Sequence, residues 1–430
     1  MGRTDLSPLD SVSPSATSTI IEERIGQGEK YLDKEDVEEL PIPQNDYDDY
    51  PDGGLRAWLI VLGASVDINT YSTIFDGLPF TRQCVVPLQH SDLSMPGACS
   101  NLTTKRIFYE IHHLRKWTLL LVVATFLVAE CHTYWQFLLC QGFTVGLACG
   151  ICFGPTLSVV GHWFKRRRGI ALGLTAAGSS MGGTVFPIAA RNLIILVGFP
   201  WTMRIMAFIL LFTLGISNIV LDRRLPPKNV PGGLFNFKAF KLPAFSIYCL
   251  ANTIAFLGIY TVLTFIDVSA IAVGISPDFS FYLVSLANAG SGVGRIVTGI
   301  VADKYGPINI ITPMTIGTAI MTFAWPYART KNSLIAVAII YGFASSAYVS
   351  AFNMPLYSMG VIEDVGRRMG TVMVFAALGA VAGPPISGAI NASTGSTKAV
   401  SYYAGSTILL AVILMLITRH LILKKIWGKF

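Results

Sequence analysis

Arg295 is the residue best placed to do chemistry in this chain. It lies in GSGVGRIVTG, inside a long apolar run that also carries Asn288. A charge at depth in a bilayer costs about 2.5–3.5 kcal/mol even on the lenient insertion scale, so an intramembrane arginine implies function by default. Its guanidinium can grip a carboxylate with two parallel hydrogen bonds. This makes Arg295 and Asn288 candidate substrate contacts. A structural reading stands beside this one, in which Arg295 belongs to the cytoplasmic end of its helix and pairs with Asp303. Eight residues separate the two, roughly 12 Å along a helix, so that pairing needs a bend or another partner. Asp267, in TFIDVSA, is a second candidate, either as a proton acceptor or as a solvated helix cap. No nucleophile elbow, phosphate loop or metal-ligand cluster occurs, which disfavours a membrane enzyme and assigns no cofactor or metal. The glycines of GSGVGR follow no strand, so they do not make a nucleotide site.

Composition sets the environment of these residues. The 430-residue chain is 52% hydrophobic and 13% charged, with a mean hydropathy of +0.56. Soluble domains carry about 25% charged residues. The chain therefore reads as an all-α polytopic membrane protein, with the lipid bilayer as its first partner. Residues 1–50 hold 13 of the 25 acidic side chains and 4 of the 32 basic ones. That head has no apolar core and reads as a disordered acidic cytoplasmic tail. The basic excess of the remainder lies at span ends, so it reports topology rather than nucleic-acid binding.

A membrane helix needs about 20 apolar residues. Spans are expected near 55–75, 117–133, 135–161, 168–190, 200–221, 243–265, 279–301, 308–328, 332–357, 368–390 and 400–422. The polar cluster Glu130–Tyr134 divides a run too long for one crossing. Basic clusters fall on alternate connections: 112–116, Lys165, Arg166, Arg167 and Arg168, the 222–242 loop, Asp303 with Lys304, Arg367 with Arg368, and 424–429. All can face the cytoplasm together, as topological charges or as a gate that pairs with helix ends. Residues 51–221 then form one helix bundle and 243–423 a second, joined by the central cytoplasmic loop 222–242, with 424–430 a basic cytoplasmic tail. Eleven of twelve expected spans are recognisable. The polar segment 76–116 has no run long enough to cross, and the first span turns polar at Asp67, so one helix is expected to be missing there, through altered splicing or a mistaken gene model.

Small residues fill the stretch after the basic turn: Gly173, Ala176, Ala177, Gly178, Ser179, Ser180, Gly182 and Gly183. They let backbones approach closely in lipid. Cys149 and Cys152 form a CxxC inside an apolar span and read as packing residues. Cys84 and Cys99 share a polar loop and could form a disulfide if it is extracellular. Asn101 and Asn391 head the two glycosylation sequons.

In its motifs the chain resembles the monocarboxylate porter family of the major facilitator superfamily, in its fungal-type branch. The matching stretches are PDGGLRAWLIVLGA (51–64), YWQFLLCQGFTVGLACGICFGP (134–155) and HWFKRRRGIALGLTAAGSSMGG (162–183). GFPWTMR (198–204), NAGSGVGRIVTGIVADKYGP (288–307) and GRRMG (366–370) follow in order. The resemblance implies a twelve-helix fold; a monomer in the plasma membrane is expected. It implies a secondary carrier of small organic acids, vitamins or secondary metabolites, proton-coupled or facilitative, working by alternating access; the substrate is expected to be anionic or a secondary metabolite. It also implies that Arg295 matches the family's basic residue in the eighth helix. Animal members carry an acid four positions earlier; here that position is Ser291. The competing reading is a scaffold or sensor that kept the fold, or a mis-spliced remnant, without transport. The topology is testable directly. Tags at positions 166 and 430 are expected to be inaccessible in intact cells, and surface labelling of either would refute it.

Overall fold

A computed structural model describes residues 52–76, 111–221, 237–360, 365–424 and 428. Every regular element among them is helical. They are α1 (Leu55–Asp76), α2 (Ile111–Val128), α3 (134–163), α4 (168–197), α5 (199–220), α6 (Pro243–Ala272), α7 (Pro277–Tyr305), α8 (Pro307–Ala324), α9 (Lys331–Ala351), α10 (Val365–Thr394) and α11 (Thr397–Leu423). Each expected span corresponds to one of these. Six helical segments are long and apolar enough to cross a membrane, with α4 and α5 counted as one 53-residue run. That run breaks at Gly198, whose φ of 76° and ψ of 168° suit glycine. Pro200 follows, its fixed φ suited to the first turn of α5. Residues 77–110, with the anomalous segment and Asn101, lie outside the described residues. So do 1–51, most of the central loop, and Cys84 and Cys99.

The turn expected at Glu130–Tyr134 is present. Gln136 Oε1 accepts from the backbone N–H groups of His132 and Thr133, at 2.8 and 3.0 Å, and fastens the start of α3. α3 then runs through a π-helical stretch, Leu138–Val145, before regular helix resumes at Gly146. Cys149 and Cys152 pack in the apolar core between α2, α3 and α5.

α1 does not end where its sequence becomes polar. It continues to Asp76, and hydrogen bonds tie its first part to neighbouring helices. Ser65 Oγ donates to the Leu174 carbonyl at 2.9 Å, and Ser217 Oγ on α5 donates to the Gly63 carbonyl at 2.9 Å. α1 thus packs along the α4–α5 run.

In the second half α6 packs against α10 and α11, while α7 and α8 both pack against α9. The core centres on Phe256, Tyr348, Phe352, Met373 and Met415. Its polar groups are paired: Tyr248 Oη donates to the Phe352 carbonyl at 2.6 Å, and Tyr348 Oη to Asn252 Oδ1 at 2.7 Å.

The two halves meet chiefly where α4 lies along α7. Small residues set that approach. A Cβ at Gly173 would stand 2.7 Å from the Arg295 carbonyl oxygen, and one at Gly299 would strike the Gly169 carbonyl. Gly299→Leu is therefore expected to force α4 and α7 apart and to cost about 1–3 kcal/mol through overpacking. Thermal unfolding of the purified protein measures this against Gly215→Leu, a site exposed on α5 with open space around it. An equal midpoint for the two variants would show that the seam tolerates separation.

Candidate functional site

The basic turn and the α4–α7 seam form the candidate site. A helix start leaves four N–H groups without intrahelical partners, and the dipole there favours negative charge. At α4 these needs are met from another helix. Asp303 at the end of α7 accepts from Gly169 N at 2.6 Å and from Ile170 N at 2.9 Å, one carboxylate oxygen to each. The bond joins the two halves. Asp303 therefore serves the α4 backbone across the seam.

A second carboxylate holds the same turn from the other side. Asp52 Oδ1, just before α1, accepts from Lys165 N and Arg166 N at 2.7 Å each and from Arg167 N at 3.3 Å. The side chains of Lys165, Arg166 and Arg167 stay exposed. Arg168 is half-buried; its guanidinium lies 4.3 Å from the ring centroid of Tyr357 in the second half, a cation–π contact. Lys304 is exposed beside the Tyr305 ring. Arg367 is half-buried, whereas Arg368 is only 2% exposed, in the first turn of α10 against Gly360. Arg368 is thus not an exposed loop charge, although a basic pair at a span end reads as one.

Higher on the seam Arg295 reaches across from α7. Its Nη1 donates to the Ala176 carbonyl at 2.5 Å and to Ser179 Oγ. Asn288 Nδ2 donates to the Gly183 carbonyl at 3.0 Å. At the far end Arg191 pairs with Asp278, and its guanidinium stands 5.0 Å from the Phe281 ring. The structure therefore gathers Asp303, Arg295 and Asn288 onto one interface. Asp267 is half-buried on α6, outside that seam. Asn391 is half-buried in the last turn of α10. Away from the seam, Glu130 at the α2–α3 turn pairs with Arg204 at 2.5 Å, fastening α2 to α5.

One buried acid belongs to the first half. Asp67 on α1 is 1% exposed, and Thr156 Oγ1 on α3 lies 2.5 Å from its Oδ2. Sequence reading missed it as a functional group because it stands among polar residues that look like the end of a span. It missed Asp52, Arg191 and Asp278 because their partners are over 80 residues away. The one available signal was the pairing of a charge at one helix end with an opposite charge at another.

Comparison with known proteins completes the picture. The family model described as Major Facilitator Superfamily matches residues 115–361 and 248–426. An MFS transporter, asaE, of Aspergillus flavus is 33% identical over 84% of this chain and 86% of its own length. A fujikurins efflux protein of Gibberella fujikuroi is 34% identical over 87% of this chain and 85% of its own length. The crystal structure of the human organic anion transporter MFSD10 (TETRAN) shares the fold, with a TM-score of 0.67 at 14% identity, covering 84% of this chain and 98% of that one. The bundle of apolar helices, the seam and these relatives agree, and the chain belongs to the Major Facilitator Superfamily, as an integral membrane protein.

Proposed function

We propose that the chain is a secondary transporter of the monocarboxylate porter type that exports an anionic secondary metabolite across the plasma membrane by alternating access. The α4–α7 seam carries this reading. Its halves are held by bonds between side chains and backbone at Asp303, Arg295 and Asn288. Such bonds can break and reform as the halves rock. A guanidinium at mid-seam offers an anion a two-pronged partner once the halves part. The basic turn, on the proposed topology, closes the cytoplasmic side through Asp303. Kinship with a fungal efflux protein supports export of a secondary metabolite over uptake. A protonatable group would couple that export to a proton gradient, with no other cofactor, and a single chain suffices.

Two experiments test the proposal. A strain deleted for this gene is expected to retain at least one acidic metabolite in its cells that the parent releases to the medium. Identical partition of all metabolites in the two strains would overturn export. For the metabolite so identified, Arg295→Lys keeps the charge but loses the planar fork. Loss of one charge-assisted bond weakens binding by roughly 1.5–3 kcal/mol, or about ten- to a hundredfold. The variant is expected to reach the membrane and to show that loss of affinity. Wild-type affinity would remove Arg295 from the binding site.

A further inference from the structure

Two cysteines bracket the α2–α3 turn, and neither belongs to the pairs that sequence spacing suggests. Cys131 sits in the turn itself, just past the end of α2 at Val128, and is buried. Its Sγ donates to the Leu127 carbonyl at 3.3 Å. Cys140 lies on α3, inside the π-helical stretch Leu138–Val145, and is half-buried. It packs against Val128, Ala129 and Met203. Both side chains therefore rest on the last turn of α2. There they meet, the Cys140 thiol serving as a hydrogen-bond partner of the Cys131 thiol. Burial first, then the Cys140 thiol, then the Glu130 carboxylate push the Cys131 thiol up to about 11.

The turn that holds the pair is well tied. Gln136 Oε1 fastens its backbone, and Glu130 joins it to Arg204 on α5. α3 separates this turn from the basic turn at 165–168, so on the topology expected from the basic clusters it faces away from the cytosol. Thiols on that side meet an oxidising environment, in which they pair into disulfides. Among the other described cysteines, Cys149, Cys152 and Cys249 are buried inside helices.

We propose that Cys131 and Cys140 form a disulfide on the outer face, a covalent staple between the end of α2 and the π-helical stretch of α3. Its placement rests on the topology of the transporter proposed above. A disulfide sets its sulfurs about 2 Å apart, so two thiols already in contact need only a small approach. The oxidant is a low-molecular-weight disulfide of the outer compartment. The thiolate of Cys140, the less buried of the pair, attacks one sulfur of that disulfide, and the other sulfur leaves as a thiolate. Cys131 holds its proton more firmly and reacts second. It gives that proton to water and attacks Cys140 Sγ. The Cys131–Cys140 bond forms and the remaining half of the oxidant leaves as a thiolate. Two protein thiols are oxidised and one disulfide is reduced to two thiols. With this staple and the Glu130–Arg204 pair, the outer ends of α2, α3 and α5 move as one body.

Peptide mass spectrometry tests the pair. Cells are treated with N-ethylmaleimide before lysis, and the purified protein is cut by chymotrypsin, whose sites at Tyr134, Trp135 and Phe137 separate the two cysteines. The Cys131 and Cys140 peptides are expected to be joined, two hydrogens lighter than their sum, and to come apart in dithiothreitol. Cys140→Ser is expected to lose the joined species and to leave Cys131 open to alkylation. Thermal unfolding reads the staple itself. Dithiothreitol is expected to lower the midpoint of the wild type more than that of Cys140→Ser, and an equal shift in the two would overturn the staple. Reduced, purified protein exposed to oxidised glutathione tests the chemistry apart from its place in the cell. Full alkylation of both cysteines after that exposure, or linkage of either to another cysteine instead, would overturn the pair. Thiols that are free in cells yet linked by oxidised glutathione would overturn the oxidised state on the outer face, and the tags at positions 166 and 430 then show whether the topology failed with it.

Discussion

The close backbone approach of α4 and α7 is the contact on which the rest of the structure depends. In lipid an apolar side chain gains nothing by leaving the bilayer for another helix, so association rests on tight packing and polar bonds. Gly169, Gly173 and Gly299 bring the two backbones to a distance that no Cβ would permit. Only at that distance can Asp303 reach the N–H groups of Gly169 and Ile170, and Arg295 the carbonyl of Ala176. A larger residue in the seam would do more than lose packing: it would also strand a carboxylate and a guanidinium.

Magnitudes explain why charged groups can sit in this seam. Placing Arg295 at depth costs about 2.5–3.5 kcal/mol on the insertion scale. A hydrogen bond to a charged group returns about 1.5–3 kcal/mol. Two acceptors on α4 therefore offset the cost, and one alone would leave it close to balance. On the alternating access proposed above, the arginine is stable while the halves touch and exposed to loss when they part. An anion arriving as the halves open would restore what the parting removes. Asp303 behaves similarly at the basic end, where the N–H groups it caps would need water if α4 withdrew.

The helices were legible in the sequence and their contacts were not. Apolar runs mark out the eleven long helices of the described residues, since bilayer thickness leaves little choice of length, and the turn at Glu130–Tyr134 follows from polarity. Small residues after the basic turn announced close packing without saying against what. The partner of Asp303 was obscured because a helix N-terminus is an acceptor's target that no side chain advertises. Arg368 reads as a loop charge from its neighbours Gly366 and Arg367, yet its helix buries it. Asp67 is the sharpest case. By composition it ends a span, whereas a threonine 89 residues away accommodates it inside one.

α4 joins these observations mechanically. One face carries Gly178 against Ser65 of α1, and Leu174 accepts the Ser65 hydroxyl. The other face carries Gly173 against α7, with Ala176 and Ser179 holding Arg295. These residues lie within two turns of one rigid helix. Among the elements of the seam, α1 meets α4. The same helix ends at the turn that Asp52 and Asp303 grip from opposite halves. A helix packed so closely on both faces cannot move against one neighbour without loading the other, so α4 is the element through which events on α1 reach the seam.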